Sequence, residues 1–99
     1  MAEQLARDVQ FPELLQCPCC DYFTLDERGF HDICPICFWE DDGTDLGELD
    51  APSSANRQLT LRQARENFVR LGACDEEAVA DVLPVAACGR FKHVPRTAS

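Results

Sequence analysis

The sequence predicts a small α+β fold in which a β-hairpin with two cysteine-containing turns is backed by two C-terminal helices. Two C-x-x-C pairs, at residues 17–20 and 34–37, are separated by thirteen residues, a distance that suits one hairpin. A capped amphipathic pattern between residues 57 and 84 predicts the helices. The chain has 99 residues, which suits a single domain whose core is small enough to need reinforcement.

The two cysteine pairs predict a metal site. A tetrahedral zinc ion takes four thiolates at about 2.3 Å, and each C-x-x-C turn presents two sulfurs on the same side of a tight loop. Because a shell of four sulfurs leaves no position for water or substrate, the predicted role of a single zinc ion is structural. The predicted ligands are Cys17, Cys20, Cys34 and Cys37.

The segment around the cysteine pairs predicts a zinc-ribbon-like hairpin over residues 15–43. Residues 22–25 and 30–33 have strand-like composition and flank a turn that ends at Gly29, where glycine permits a positive φ. Pairing of these two strands would bring the cysteine pairs together. Residues 14–16 are predicted to enter the first pair as a short strand.

A helical pair is predicted over residues 57–84. Thr60 and Gln63 have the spacing of a capping box at the start of the first helix, and Gly72 is placed to end it. Its apolar stripe, which should face the hairpin, consists of Leu61, Ala64, Phe68 and Leu71. Asp75 is the predicted cap of a shorter second helix that Pro84 ends. The residues of that helix predicted to face inward are Val79, Val82 and Leu83.

The acidic balance of the chain predicts a basic protein partner. The formal net charge is −9, and residues 1–50 carry 13 acidic against 2 basic side chains. Such a surface repels phosphate backbones, so nucleic acid is not the expected partner. Residues 40–50 include six carboxylates and no cation, and we expect this loop to steer a basic protein into contact. The predicted partner-binding residues are Trp39, Glu40, Asp41, Asp42, Asp45 and Glu48.

The seven cysteines favour a reducing compartment over a disulfide scaffold, because their number is odd and no signal-peptide pattern opens the chain. Since no stretch reaches the roughly 18 apolar residues that span a bilayer, we expect a cytoplasmic protein with no membrane partner. Cys19 reads either as a spare ligand or reactive thiol, or as a small buried hydrophobe. His31 is the alternative to a fourth sulfur, although the four cysteines are better spaced.

The chain ends carry weaker patterns. Residues 1–13 and 88–99 are predicted to be loosely ordered. Cys74 and Cys88 stand apart from any cysteine pair, and their expected role is to fill the core. We expect the free chain to be a monomer.

Several motifs together resemble the bacterial cysteine-rich CPCC family over roughly residues 15–84. They are Cys17-Pro18-Cys19-Cys20, Leu25-Asp26-Glu27-Arg28-Gly29, the run from Ile33 to Gly43, Ala64-Arg65-Glu66-Asn67-Phe68 and Gly72-Ala73-Cys74. The resemblance implies a small zinc-binding domain and no particular activity. This chain has Asp21 where family members usually have glycine, at a position that favours a positive φ.

Three functions follow from these observations. The first is a non-enzymatic, zinc-stabilised interaction module; small acidic proteins of this kind resemble the immunity partners of basic bacterial toxins, such as nucleases or deaminases. The second is a thiol redox protein that uses the Cys-Pro-Cys-Cys motif, although the strand, helix and strand context of such sites is missing. The third is a zinc ribbon that binds nucleic acid, which the acidic charge opposes.

Overall fold

The computed structural model describes residues 14–97. Within them lie two small antiparallel hairpins and two α-helices, joined by irregular segments and single 3₁₀ turns. The strands are β1 (Leu15–Gln16), β2 (Phe23–Leu25), β3 (Pro52–Ser53) and β4 (Leu59–Thr60), and the helices are α1 (Leu61–Leu71) and α2 (Val85–Cys88). The predicted loose order of residues 1–13 and 98–99 lies outside the described residues.

β1 and β2 pair antiparallel across the first cysteine turn, which confirms the strand predicted to lead into it. The predicted pairing of residues 22–25 with residues 30–33 is wrong. Ile33 instead forms a β-bridge with Glu40 across the second cysteine turn. Each C-x-x-C turn pairs its own flanking residues, and the N–H of Phe23 in β2 donates to the distant Lys92 carbonyl rather than to residues 30–33.

The first predicted helix is present as α1, and both of its ends are as predicted. The Thr60 hydroxyl accepts a hydrogen bond from the backbone N–H of Gln63, and the Gln63 side chain accepts one from the N–H of Thr60. Gly72 ends the helix with a φ of 80°. Leu61 and Ala64 are fully buried and Phe68 packs against the core, so these three residues of the apolar stripe face inward as predicted. In front of α1, β3 pairs antiparallel with β4.

The second predicted helix is wrong in position. Asp75 does cap a turn, since its carboxylate accepts a hydrogen bond from the N–H of Ala78 at 2.9 Å, but that turn is a single 3₁₀ turn. The chain then turns away, because the N–H of Leu83 donates to the Pro35 carbonyl at 3.0 Å rather than to a helix carbonyl. Pro84 precedes α2 instead of ending a helix, which its fixed φ and missing N–H permit.

The three residues of that segment that were predicted to face inward differ in their burial. Val82 and Leu83 pack against the core as predicted, whereas Val79 is 45% exposed. The core itself surrounds the cysteine cluster, and its largest fully buried apolar side chains are Trp39, Leu25, Ile36 and Leu61. The candidate metal ligands and the apolar core residues therefore occupy the same interior.

The C-terminal segment lies against the first cysteine turn. The Phe23 N–H donates to the Lys92 carbonyl at 2.9 Å, and the Val94 N–H donates to the Asp21 carbonyl at 3.3 Å. The rings of Tyr22 and His93 stack with centroids 4.1 Å apart. The predicted division of the single domain into a hairpin over residues 15–43, a helical pair over residues 57–84 and loosely ordered ends stays a prediction. No helix within residues 14–97 is both long enough and apolar enough to cross a bilayer.

Candidate metal centre

The four predicted ligand cysteines come together in one buried cluster. Their Sγ atoms all lie within 4.8 Å of one another. The sulfurs of Cys17 and Cys37 are 3.6 Å apart, and those of Cys20 and Cys34 are 3.7 Å apart. None of the four residues is more than 3% exposed. One cysteine pair therefore faces the other across a space that solvent does not reach.

The geometry of this cluster fits a tetrahedral metal ion bound by four thiolates. With metal–sulfur bonds of about 2.3 Å, the sulfurs of a regular tetrahedron lie about 3.8 Å apart. The measured separations of 3.6 and 3.7 Å are close to that value. Soft thiolate donors in this geometry select zinc or iron over hard cations such as calcium. The chain can thus hold a metal ion here, with no coordination position left open.

Two turns of the same design present these sulfurs: the first knuckle, residues 17–22, and the second knuckle, residues 34–39. In the first, the N–H of Cys17 donates to the Tyr22 carbonyl at 2.8 Å, and the N–H of Asp21 donates to the Cys17 carbonyl at 2.9 Å. In the second, the corresponding hydrogen bonds join Cys34 to Trp39 at 3.0 Å and Phe38 to Cys34 at 2.7 Å.

The fifth residue of each knuckle has a left-handed backbone. Asp21 has a φ of 69°, which confirms the sequence-based expectation, and Phe38 has a φ of 72°. The conformation at Phe38 was not predicted. The signal that could have revealed it was its offset from Cys34, which equals the offset of Asp21 from Cys17. Left-handed geometry costs an L-residue roughly 1–2 kcal/mol, so the knuckle imposes it on both side chains.

Hydrogen bonds favour ionisation at one corner of the cluster. Bonds from the neighbouring thiols, and then from Thr24, hold the pKa of Cys34 well below its usual range. The Thr24 hydroxyl donates to the Cys34 sulfur at 3.1 Å, and the N–H of Ile36 donates to it at 3.4 Å. Burial raises the pKa of Cys37, so a cation is the partner that would let all four thiols ionise together. No sequence pattern singled out Thr24.

The alternative ligands are not among the four clustered sulfurs, although Cys19 lies beside Cys37. Cys19 is 2% exposed, in agreement with the small buried hydrophobe, and burial raises the pKa of its thiol. Cys74 is buried too, and desolvation raises its pKa to about 12. His31 is exposed, with its Nδ1 atom 2.9 Å from the Glu40 carboxylate. All seven cysteines, which lie within residues 14–97, are free.

A buried ion-pair cluster fixes the first knuckle. Asp21 is 4% exposed, and Arg65 reaches its two carboxylate oxygens at 2.8 and 3.0 Å. The backbone N–H and Nε of Arg96 donate to the same carboxylate at 2.7 and 3.1 Å. Although burial alone would raise the pKa of Asp21, these hydrogen bonds outweigh it and hold the pKa below its usual value. No sequence pattern indicated a role for either arginine.

The predicted partner-binding residues do not share one surface. Trp39 and Asp41 are both 0% exposed, so neither can contact a partner directly, and we correct the prediction for these two residues. Arg28 holds the acidic loop to the fold, with Nε 3.0 Å from Asp41 and Nη1 2.8 Å from Asp45. The Gly29 N–H also donates to Asp41, at 2.6 Å. Asp41 is therefore buried and paired within the molecule, and Asp45 is paired while partly exposed.

The remaining acidic residues lie nearer the surface. Asp42 accepts a hydrogen bond from the Ser53 hydroxyl at 2.7 Å, whereas Glu48 is exposed. Glu40 is half-buried and keeps its carboxylate beside His31. These three carboxylates and Asp45, whose side chain stays 40% exposed beside Arg28, are the part of the predicted acidic surface that a partner could still reach.

Comparison with known proteins found a matching family model. The model of the family described as cysteine-rich CPCC matches residues 15–88, a range that includes both knuckles, α1 and α2. No curated protein and no solved structure matches the chain.

Proposed function

The chain belongs to the cysteine-rich CPCC family, and from that premise we propose that it is a zinc-stabilised, non-enzymatic protein-interaction module. The observation that carries this proposal is the buried cluster of four thiols. A shell of four sulfurs would give a zinc ion a structural task and no site for substrate. Cys17 and Cys20 would tie the first knuckle to Cys34 and Cys37 in the second.

The test of the metal is direct. Purified protein is expected to contain one zinc per chain, and titration with a chelator should release zinc and unfold the chain together. Cys34→Ser should lose the metal, and Cys88→Ser, which changes a cysteine outside the cluster, should keep it. Iron in place of zinc would correct the metal, and a folded chain with no metal would overturn the proposal.

The burial of the cysteine side chains supports a role without thiol catalysis, although the chain has many thiols. Cys19 and Cys20 are 2% and 3% exposed, so the Cys-Pro-Cys-Cys motif offers a thiol substrate little access. A catalytic redox cysteine needs partial exposure and an electropositive setting. We propose a reducing, cytoplasmic setting, in which seven free thiols would persist. Rapid modification of Cys19 in the metal-loaded chain would argue for the redox alternative.

The proposed partner is a basic protein, since the chain carries a net charge of −9. Its most concrete form is a toxin that the chain inhibits. Purification of bound proteins from the native host would identify the partner, whose affinity should fall as salt increases. Asp42→Asn and Glu48→Gln should weaken binding, whereas Glu66→Gln on α1 serves as the charge-matched control. Affinity that is unchanged by salt would remove the electrostatic mechanism.

A further inference from the structure

A groove of about 200 Å³ opens beside the second knuckle. Its walls come from the knuckle on one side and from the 3₁₀ turn after Asp75 on the other. We define the second-knuckle groove by the six side chains that bear on its chemistry, which are Ile33, Phe38, Glu40, Arg57, Glu77 and Asp81. Only Glu40 among them belongs to the acidic surface predicted from sequence.

The apolar part of the groove is held open by the knuckle itself. Ile33 is 49% exposed and Phe38 is 36% exposed. The β-bridge between Ile33 and Glu40 and the left-handed backbone at Phe38 fix where the two side chains begin. Because this backbone is anchored at Cys34 and Cys37, a ligand that contacts the two side chains would not have to order them first.

The charged part of the groove is acidic. Three carboxylates and one guanidinium line it, for a formal charge of −2. Arg57 pairs with Asp75 and lies 3.6 Å from Glu77, so its charge is used within the protein. Asp81 is exposed, and no ion pair involves it within residues 14–97. Asp81 and Glu40, whose carboxylate lies 2.9 Å from Nδ1 of the exposed His31, are thus the carboxylates best placed to meet an incoming cation.

These features restrict the occupant. Phosphate groups and acidic peptides would be repelled by the carboxylates. A second copy of this chain would bring another net charge of −9 toward the first. The complement of two exposed apolar side chains next to carboxylates is an apolar side chain beside lysine or arginine.

We infer that the second-knuckle groove binds a cationic segment of a protein partner, with an apolar side chain against Ile33 and Phe38 and a lysine or arginine at Glu40 and Asp81. The inference rests on the proposed function, because it names the contact surface of that interaction module. It places the contact at the second knuckle and one edge of the acidic loop.

The experiment uses the full, metal-loaded chain labelled with nitrogen-15. The probe is the peptide acetyl-Lys-Lys-Leu-Lys-amide, compared with acetyl-Glu-Glu-Leu-Glu-amide. Saturable amide shifts at Ile33, Phe38, Glu40 and Asp81 are expected with the lysine peptide, with at least tenfold weaker binding of the glutamate peptide. Shifts centred elsewhere, equal binding of both peptides, or no shifts would overturn the inference.

Variants separate the groove from the remaining acidic surface. Asp81→Asn should weaken the lysine peptide at least threefold and leave the metal content unchanged, while Glu66→Gln should bind as the wild type does. Equal binding by Asp81→Asn and wild type would overturn the assignment. Concentration-dependent shifts at Phe38 without peptide would show that a second copy occupies the groove, which also overturns it. Salt-sensitive partner binding that depends on Asp42 and Glu48 but not on Asp81 would leave the proposed function intact and reject the groove.

Discussion

The two knuckles share one backbone design and differ in what covers them. The first knuckle has Asp21 at its fifth position, 4% exposed, and the second has Phe38 there, 36% exposed. Residues 92–96 and Arg65 close over the first knuckle. The second is supported from behind, where the N–H of Cys74 donates to the Cys37 carbonyl at 2.7 Å.

The difference shows which part of a knuckle the metal requires. The backbone turn positions the cysteine sulfurs. Both knuckles have the same turn, including a left-handed backbone at the fifth residue. The side chain at that position is therefore free to take another role. In the first knuckle it binds distant parts of the chain, and in the second it forms the wall of a groove.

The largest expected effect, loss of the metal and of the fold, is the same for a substitution in either knuckle. Cys17→Ser and Cys34→Ser should each abolish tight metal binding and unfold the chain, since structural zinc contributes about 10–16 kcal/mol of apparent binding energy in small domains. Elemental analysis and far-ultraviolet circular dichroism measure both losses. A marked difference between the two variants would mean that the sulfurs do not act as one shell.

The next effect is confined to the first knuckle. Asp21→Asn should lower the free energy of unfolding by about 3 kcal/mol, because it leaves two partly buried arginines without their carboxylate. The folded pKa of Asp21 is lowered, so its stabilisation is complete above the ordinary pKa near 4 and is lost as pH falls through the folded value. Chemical denaturation should therefore show a constant difference from wild type between about pH 6 and pH 8. A difference that changes over this interval would contradict the assignment.

A smaller effect is expected from the C-terminal segment. Arg96→Ala removes one of the two arginines from Asp21 and leaves Arg65 in place, so the cost should be about 1.5 kcal/mol. The backbone N–H of residue 96 still donates to the carboxylate, which limits the loss. Equilibrium unfolding with zinc in excess measures the change. A cost as large as that of Asp21→Asn would show that Arg96 alone holds the knuckle.

The smallest expected effect comes from a comparison of the fifth residues of the two knuckles, Asp21 and Phe38. Phe38→Gly relieves a left-handed residue, which offsets the apolar contact that it loses, so stability should change by no more than about 1 kcal/mol. Asp21→Gly has the same backbone benefit but loses the carboxylate, and should remain clearly destabilised. Equal losses from the two variants, measured by denaturant titration, would contradict the functional division between the knuckles.

Short-range patterns account for what could be predicted. Two turns of four residues, a capping box and Gly72 act over one helical turn or less, and the structure contains all of them. The strand pairing and the second helix failed because hydrogen bonds across the fold, such as that from Leu83 to Pro35, overrode local preference. The burial of Asp41 depends on Arg28, thirteen positions away.

By itself, the sequence determined the four-cysteine cluster and α1, because cysteine spacing and helix capping are local properties of the chain. Only the tertiary structure decided which charges face solvent. Arg65 and Arg96 reach Asp21 across 44 and 75 positions. The free energy of a buried ion pair depends on how well its charges are desolvated and matched, and separation along the chain does not reveal this. For that reason the acidic loop, which looks uniformly open in the sequence, has Asp41 buried and Asp45 paired in the folded protein, while Glu48 stays exposed.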